Sequence, residues 1–298
     1  MTVAWRALHV FIGARAHGDA LVLVADRVLR AHARDPSDWF FIRYGEAGAH
    51  LRFRLGPGVH AAEDALRDVL GAEATRLARR SPDPDWTERA GYRDGRGRLF
   101  APGHVAAIAY EPEVQRYGGH AALQVSEALF RHSSAIAVRA IALTPDFAAR
   151  PAVAVDLMLA AAAATADADA AALFAGYARG WSRLLAAVDE RVAVDAAAGA
   201  RLRGRLAALR AVLAAGSPPD SLGAHWAVAV RDAVAGCGAI AARGDLVAPW
   251  SGVPVDADTS ARALGDIVLS HVHMFANRLG YSPYDELRWS RYLAAALR

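Results

Sequence analysis

The stretch from residue 39 to residue 55, WFFIRYGEAGAHLRFRL, contains an aromatic-rich segment and an alternating apolar–polar segment, separated by a short glycine-containing connection. Trp39–Tyr44 and His50–Leu55 each have the length of a strand, and Gly45 to Gly48 suits a tight connection between them. In the second segment apolar and polar residues alternate strictly, which is the pattern of a strand with one buried face. The stretch therefore predicts two neighbouring strands of an antiparallel sheet.

Further strand and helix signals lie on either side of this pair. Before it, Val3 to Ile12 is rich in β-forming residues and predicts a strand, and Asp19 to His32 has apolar residues near helical spacing. After it, Ala61 to Arg79 predicts a helix, and a further strand is expected within Trp86 to Tyr110. The order β-α-β-β-α-β predicts a ferredoxin-like antiparallel sheet with helices on one face.

The pattern becomes almost wholly helical after Glu111. Helices are predicted at His120–His132, Val153–Ala164, Ala170–Val192, Ala198–Ala214, Ala224–Ala235, Ser260–Leu279 and Tyr284–Leu297. No linker is long enough to demand separate domains. We therefore predict one α+β domain over residues 1–298, with a sheet-rich portion at 1–110 and a mostly helical portion at 111–298.

The composition excludes several classes of chemistry. All 34 basic residues among the 298 are arginine, so the sequence has no lysine for a Schiff base, for covalent attachment of pyridoxal phosphate or for a Walker-type phosphate loop. Arginine keeps its proton in proteins, so proton transfer falls to His, Asp, Glu or Tyr. The single cysteine, Cys237, excludes an intramolecular disulfide and any CxxC metal or redox site.

Charge and hydropathy patterning also bear on partners and compartment. The 31 acidic residues are interspersed with the basic ones, so no direct contact with nucleic acid is expected. The apolar runs are short, alanine-rich or interrupted by charge, and the N-terminus lacks a signal-peptide pattern. We therefore expect a cytoplasmic protein without membrane partners.

The alternating strand carries the first group of candidate functional residues. Alternation places His50, Arg52 and Arg54 on the face of the sheet opposite to Leu51 and Phe53. Two guanidinium groups one strand step apart are suited to grip a carboxylate. The alternative is a row of charges that faces solvent.

A second group lies at the junction between the two portions, in the segment Tyr110–Gly119. Glu113 and Arg116 would meet on one helical turn, and Gly118-Gly119 lets the chain turn or a ligand approach closely. Clefts at such junctions are common ligand sites. The alternative is a surface ion pair beside a turn.

A third group lies near the end of the chain, in His271–Gly280. His273 and Asn277 share a helical face, whereas His271 and His273 point away from each other, which argues against a metal site. No metal is therefore expected. The alternative is a core histidine followed by a helix C-cap next to Gly280.

Together these segments resemble the C-terminal elimination domain of class I lanthipeptide dehydratases and the stand-alone proteins of thiopeptide biosynthesis that share it. The matching elements are Trp5–Ile12, Phe40–Tyr44 with His50–Arg54, Tyr110–Gly119 and His273–Gly280. The resemblance runs from about residue 3 to the C-terminus. It implies an elimination domain without the large glutamylation part that precedes it in full-length dehydratases.

The resemblance implies an activity and its partners. In that family a Ser or Thr of a precursor peptide, made of leader and core, is esterified with glutamate from glutamyl-tRNA by a separate enzyme or active site. The elimination domain then removes the glutamate and leaves dehydroalanine or dehydrobutyrine. No cofactor is implied, and full-length relatives favour a homodimer.

Matched residue by residue, the resemblance assigns catalytic roles to Arg54, Arg116 and His273. As substrate contacts we take a wider set of polar residues from the same segments, namely Arg52, Glu113, Asn277, His50 and Arg278. Fixed cations suit the negative charge that develops when a weakly acidic α-proton is removed. His273 is the candidate for proton transfer, because the reference pKa of histidine lies near neutrality. Its direction, as base or as acid, stays open at this point.

Two other functions compete with elimination. Stand-alone members of the superfamily include thiopeptide pyridine synthases, which join two dehydroalanines in a formal [4+2] cycloaddition, release the leader peptide, and look like eliminases with altered catalytic residues. Retention of Arg52, Arg54, Arg116 and His273 favours elimination. The third possibility is a non-catalytic peptide-binding subunit of a modification complex, which would tolerate replacement of His273.

Overall fold

The computed structural model describes residues 5–45, 49–81, 100–165, 169–187 and 192–298. The chain divides into two compact units. The first comprises residues 1–112 and 133–143, and the second comprises residues 113–132 and 144–298. The division after Pro112 lies beside the predicted change of pattern at residue 111. The return of 133–143 to the first unit has no signal in the sequence pattern.

The first unit contains a four-stranded antiparallel sheet. Its elements along the chain are β1 (Arg6–Phe11), α1 (His17–His32), β2 (Trp39–Tyr44), β3 (His50–Leu55), a 3-10 turn (Pro57–Ala62), α2 (Glu63–Arg80) and β4 (Val105–Ala107). The strand order in the sheet is β2-β3-β1-β4, and every neighbouring pair is antiparallel. The mixed α+β class and the antiparallel sheet are confirmed. The strand expected within residues 86–110 is β4, whereas 82–99 lie outside the described residues.

The two faces of the sheet follow from the alternation of side chains. Leu8 faces Phe53 across the β1–β3 ladder, and both side chains are completely buried. On this face α2 packs against β1, and α1 packs against α2. Because successive side chains point to opposite faces, His9 on β1 and Arg52 on β3 lie together on the other face.

The second unit is helical. Its helices are the first part of α3 (His120–Leu143), then α4 (Pro151–Ala163), α5 (Ala170–Leu184), α6 (Ala196–Ala215), α7 (Leu222–Ala242), α8 (Ala257–Leu279) and α9 (Pro283–Ala296). Helix α5 packs along α9, and α4 packs against α7 and α8. Across the described ranges, no helix combines the length and the apolar character that crossing a membrane requires.

Helix α3 is longer than predicted. The pattern predicts its end at His132, but it continues to Leu143. Ser133 and Ser134 are buried, and the Ser134 hydroxyl accepts the backbone N–H of Phe41 at 3.2 Å. Both serines therefore lie inside the helix, and Ser134 links it to a neighbouring strand.

The two last helices begin at well-formed caps. Asp256 accepts the backbone N–H of Thr259, and the Thr259 side chain accepts the backbone N–H of Asp256 in return. Ser282 and Asp285 make the same reciprocal arrangement at the start of α9, where Pro283 occupies the first turn. The connection between α8 and α9 is therefore short, running from Gly280 at the end of α8 to the cap at Ser282.

Candidate functional site

The first unit brings the three polar residues of β3 together with a histidine of β1. Arg52 Nε donates to His50 Nε2 at 3.0 Å, and Arg54 Nη1 lies 3.2 Å from His9 Nε2. A guanidinium has only donors, so each histidine ring nitrogen is the acceptor. The two imidazoles stack with centroids 4.9 Å apart. We call His9, His50, Arg52 and Arg54 the arginine–histidine cluster.

The electrostatics of this cluster keep His9 neutral and Arg54 charged. Burial, followed by the charges of Arg54, His50 and Arg52, lowers the pKa of His9 to about 3. Burial and the neighbouring Arg52 lower the pKa of Arg54 to about 10, while Tyr110 opposes this shift. Among the described residues no carboxylate contributes to the Arg54 shift. At neutral pH the cluster therefore carries positive charge on arginine that its histidine partners do not neutralise.

Aromatic rings position both guanidinium groups. The Arg52 guanidinium lies 3.4 Å from the centroid of the Tyr44 ring, and that of Arg54 lies 5.3 Å from the Tyr110 centroid. Arg54 is only 5% exposed and His50 is also buried. The alternative of a solvent-facing row of charges is therefore wrong for these two residues, because rings from β1, β2 and the segment after β4 cover them.

In the second unit Glu113 and Arg116 form the ion pair that their spacing predicts. Arg116 Nη1 lies 3.1 Å from Glu113 Oε2, and the two side chains are 14% and 58% exposed. The guanidinium also lies 5.3 Å from the Trp250 ring centroid. Trp250 is exposed and adopts a positive φ of 70°, and its carbonyl accepts the Gln115 side-chain amide. An exposed aromatic in this strained conformation beside a charged guanidinium is typical of a ligand-contacting loop.

The glycine pair serves the turn before α3. Gly118 and Gly119 have φ angles of 84° and 97°, which favour glycine. A Cβ at Gly118 would also lie 2.7 Å from Leu246 Cδ1, so the turn packs against the core of the second unit. The glycines therefore fix the direction of the chain directly after Arg116.

His273 lies in a second polar group that the sequence pattern did not reveal. His273 Nδ1 is 2.9 Å from Glu286 Oε1, and Glu286 Oε2 accepts a short hydrogen bond from the Tyr177 hydroxyl. Glu286 is fully buried, whereas the His273 side chain is 20% exposed. The Trp181 ring contacts the imidazole at a centroid distance of 5.1 Å. We call His273, Glu286 and Tyr177 the histidine–glutamate–tyrosine chain.

The surroundings of Tyr177 keep its hydroxyl group protonated. Burial, and after it the negative charge of Glu286, raise the pKa of Tyr177 well above its usual value. The charge of Arg116 acts on Tyr177 in the opposite direction. Tyr177 therefore stays protonated at neutral pH and donates permanently to Glu286.

Three other residues of the C-terminal segment have separate environments. His271 is buried against Ser126, with 3.1 Å between its Nε2 and the serine hydroxyl, and burial is the main reason that its pKa falls to about 3. Arg278 is completely buried and donates to the Met274 carbonyl, so its contacts lie within the protein. Asn277 is half-buried one turn after His273, and Gly280, with φ 93°, caps the helix.

The structure thus places the predicted residues in distinct groups. His50 joins Arg52 and Arg54, and Glu113 joins Arg116, whereas Arg278 is separated from solvent. Sequence reasoning missed a set of partners, which are His9, Tyr44, Tyr110, Tyr177, Trp181, Trp250 and Glu286. Alternation in β1 was a usable signal for His9. No linear signal connects Glu286 with His273, because a helix end and a turn lie between them.

Comparison with known proteins identifies a matching family and solved structures with the same fold. The family model described as lantibiotic biosynthesis dehydratase C-term matches residues 5–297. Among curated proteins there is no significant sequence match. Solved structures with the same fold include the pyridine synthase TbtD from thiomuracin biosynthesis (TM-score 0.66, 18% identity, 98% of this chain and 97% of that one).

Two further solved structures share the fold. TsrL aligns with a TM-score of 0.64 and 17% identity over 99% of this chain and 94% of that one. The tRNA-dependent lantibiotic dehydratase MibB from Microbispora sp. 107891 aligns with a TM-score of 0.53 and 24% identity. That alignment covers all of this chain but 28% of MibB.

Proposed function

Because the chain belongs to the family of C-terminal domains of lantibiotic biosynthesis dehydratases, we propose that it is a lyase that acts on a glutamylated precursor peptide. It eliminates glutamate from esterified Ser or Thr and leaves dehydroalanine or dehydrobutyrine. A separate tRNA-dependent glutamylation enzyme supplies this substrate. The observation that carries the proposal is the pair of arginines on β3, each of which is hydrogen-bonded to a ring nitrogen of a histidine.

Elimination requires stabilisation of two negative charges. One develops on the peptide carbonyl as the α-proton leaves, and the other is carried by the departing glutamate. Arg52 and Arg54 are preorganised donors for such charges, because His50, His9 and Tyr44 fix them before substrate binds. Preorganised charge lowers the barrier without reorganisation during the reaction.

Arg116 and His273 supply the remaining functions. Arg116 is mostly buried yet paired with an exposed carboxylate, so a substrate carboxylate can displace Glu113 from it. His273 transfers the proton, since its side chain is 20% exposed whereas that of Glu286 is fully buried.

The proposal is tested by mass spectrometry of a chemically defined glutamylated peptide incubated with the protein alone. We expect the mass of glutamate to be lost from the peptide. In Arg116→Ala and His273→Ala the glutamylated peptide should accumulate while circular dichroism remains unchanged. Normal turnover in both variants would remove these residues from the mechanism.

A pyridine synthase is the second candidate function, because the pyridine synthase TbtD has the same fold over 98% of this chain. The experiment that separates the two functions offers the protein a glutamylated peptide and, in a second reaction, a fully dehydrated one. If the glutamylated peptide stays unchanged and the leader is released only from the dehydrated peptide, the protein is a cyclase and elimination is overturned.

A further inference from the structure

A carboxylate of the second unit has no contact with solvent. Glu286 has no exposed side-chain surface. Its Oε1 pairs with His273 Nδ1 at 2.9 Å, and its Oε2 accepts from the Tyr177 hydroxyl. A buried carboxylate destabilises the folded protein unless its oxygens accept hydrogen bonds, and both oxygens of Glu286 have such a partner.

Glu286 lies in the first turn of α9, at the positive end of the helix dipole. The Tyr177 hydroxyl donates a hydrogen bond and adds no opposing charge. The other oxygen of Glu286, Oε1, therefore accepts a hydrogen bond from His273 Nδ1.

This contact decides which nitrogen of His273 reacts. When Nδ1–H donates to Glu286, neutral His273 carries its lone pair on Nε2. A flip of the ring would replace Nδ1 by a carbon and leave Glu286 without a donor. The Trp181 ring against the imidazole also restricts such a rotation. Nε2 is consequently the basic atom of the side chain.

We propose that Glu286, held by Tyr177, is a positioning residue that fixes His273 in the Nδ1–H tautomer, so that Nε2 is the base of the elimination. The substrate named in this inference rests on the proposed function. The tautomer of His273 rests on its contact with Glu286 alone. In the step, Nε2 takes the α-proton, the C–H electron pair becomes the Cα=Cβ bond, and the Cβ–O bond breaks. The glutamate leaves as a carboxylate with the electron pair of the broken Cβ–O bond. The imidazolium that forms is stabilised by Glu286.

The test combines kinetics with nitrogen-15 NMR of histidine-labelled protein. The His273 signal is identified by its loss in His273→Gln. In the wild type we expect the proton on Nδ1, and in Glu286→Gln a population shift towards Nε2–H. On a glutamylated peptide, kcat of Glu286→Gln should fall on the order of 100-fold while KM changes little.

Two variants complete the design. Tyr177→Phe keeps the carboxylate but removes its second bond, and should lose about 10-fold in kcat. It also serves if Glu286→Gln fails to fold. Glu73→Gln, which changes a carboxylate of a surface ion pair in the first unit, should behave as the wild type.

The outcomes separate the inference from the proposed function. A wild-type proton on Nε2, or wild-type kcat in Glu286→Gln, overturns the inference. Absence of elimination by wild type together with an Nδ1–H tautomer overturns the proposed function and upholds the positioning role.

Discussion

Histidines in the two units occupy opposite electrostatic environments. In the arginine–histidine cluster of the first unit, His9 is buried among cations and accepts a hydrogen bond from Arg54. In the histidine–glutamate–tyrosine chain of the second unit, His273 lies against the carboxylate of Glu286. A histidine therefore accepts a hydrogen bond from a guanidinium group in the first unit, whereas in the second unit a histidine lies beside a carboxylate. The neighbours of a histidine, and not its residue type, determine whether it can transfer a proton.

The comparison predicts that only one kind of histidine is chemically active. His273→Ala should reduce kcat/KM for glutamate elimination about 1,000-fold, because the general base is lost. His132→Gln, at an exposed histidine, is the matched control and should keep wild-type rates. Quantitative mass spectrometry of glutamylated and dehydrated peptide measures both. Equal kcat/KM values in the two variants would show that His273 is no more active than an exposed histidine.

The next largest effect concerns the cation held by His9. Arg54→Lys keeps the charge but loses the planar fork, and should lower kcat/KM roughly 100-fold. Arg30→Lys, at an exposed arginine of α1, controls for the change of residue type. If Arg54→Lys retains wild-type kcat/KM, charge alone suffices and the geometry of the cluster is irrelevant to catalysis.

The buried neutral histidines also predict a pH dependence of stability. The pKa values of His9 and His271 lie at about 3 in the folded protein, against about 6.5 for an unperturbed histidine. Between these values the unfolded state binds more protons, so the free energy of unfolding falls as pH decreases from about 6.5 towards 3.

The slope of this dependence is measurable by urea unfolding at several pH values. Each buried histidine contributes up to about 1.4 kcal/mol per pH unit in that window. His9→Gln should reduce the slope and His132→Gln should not. An unchanged slope in His9→Gln would show that His9 is already protonated in the folded protein.

The smallest effect is expected at the exposed carboxylate. Glu113 is 58% exposed, so Glu113→Gln should change the free energy of unfolding by less than about 0.5 kcal/mol. As a contact of Arg116 it should alter kcat/KM only several-fold. A loss as large as that of Glu286→Gln would show that exposure does not distinguish the two carboxylates.

Much of the fold was predictable because periodicity reports local structure. The alternation in β3 correctly separated Leu51 and Phe53 from Arg52 and Arg54. Four of the seven helices that the structure describes in the second unit lie within three residues of their predicted bounds, whereas α5 ends at Leu184 rather than Val192 and α7 runs to Ala242 rather than Ala235. The continuation of α3 past His132 was not predictable. In this part of the helix Ser134 bonds to β2, which is a contact between segments far apart in the sequence.

The candidate site was predictable only in part, for the same reason. The spacing of Glu113 and Arg116 fixed their ion pair, because residues three apart on a helical turn are neighbours. The burial of Arg54 and its contact with His9 were not visible, since they require two strands to pair in one register. The contact of His273 with Glu286 was equally hidden.

The sequence by itself determined which residues share a face, which classes of chemistry are excluded by the absence of lysine, and which segments resemble a known family. Only the tertiary structure decided which faces meet. Hydrogen bonding and desolvation act between groups that touch, and both set the chemistry of an ionisable side chain. The neutral state of His9 and the orientation of His273 therefore follow from contacts that no spacing along the chain encodes.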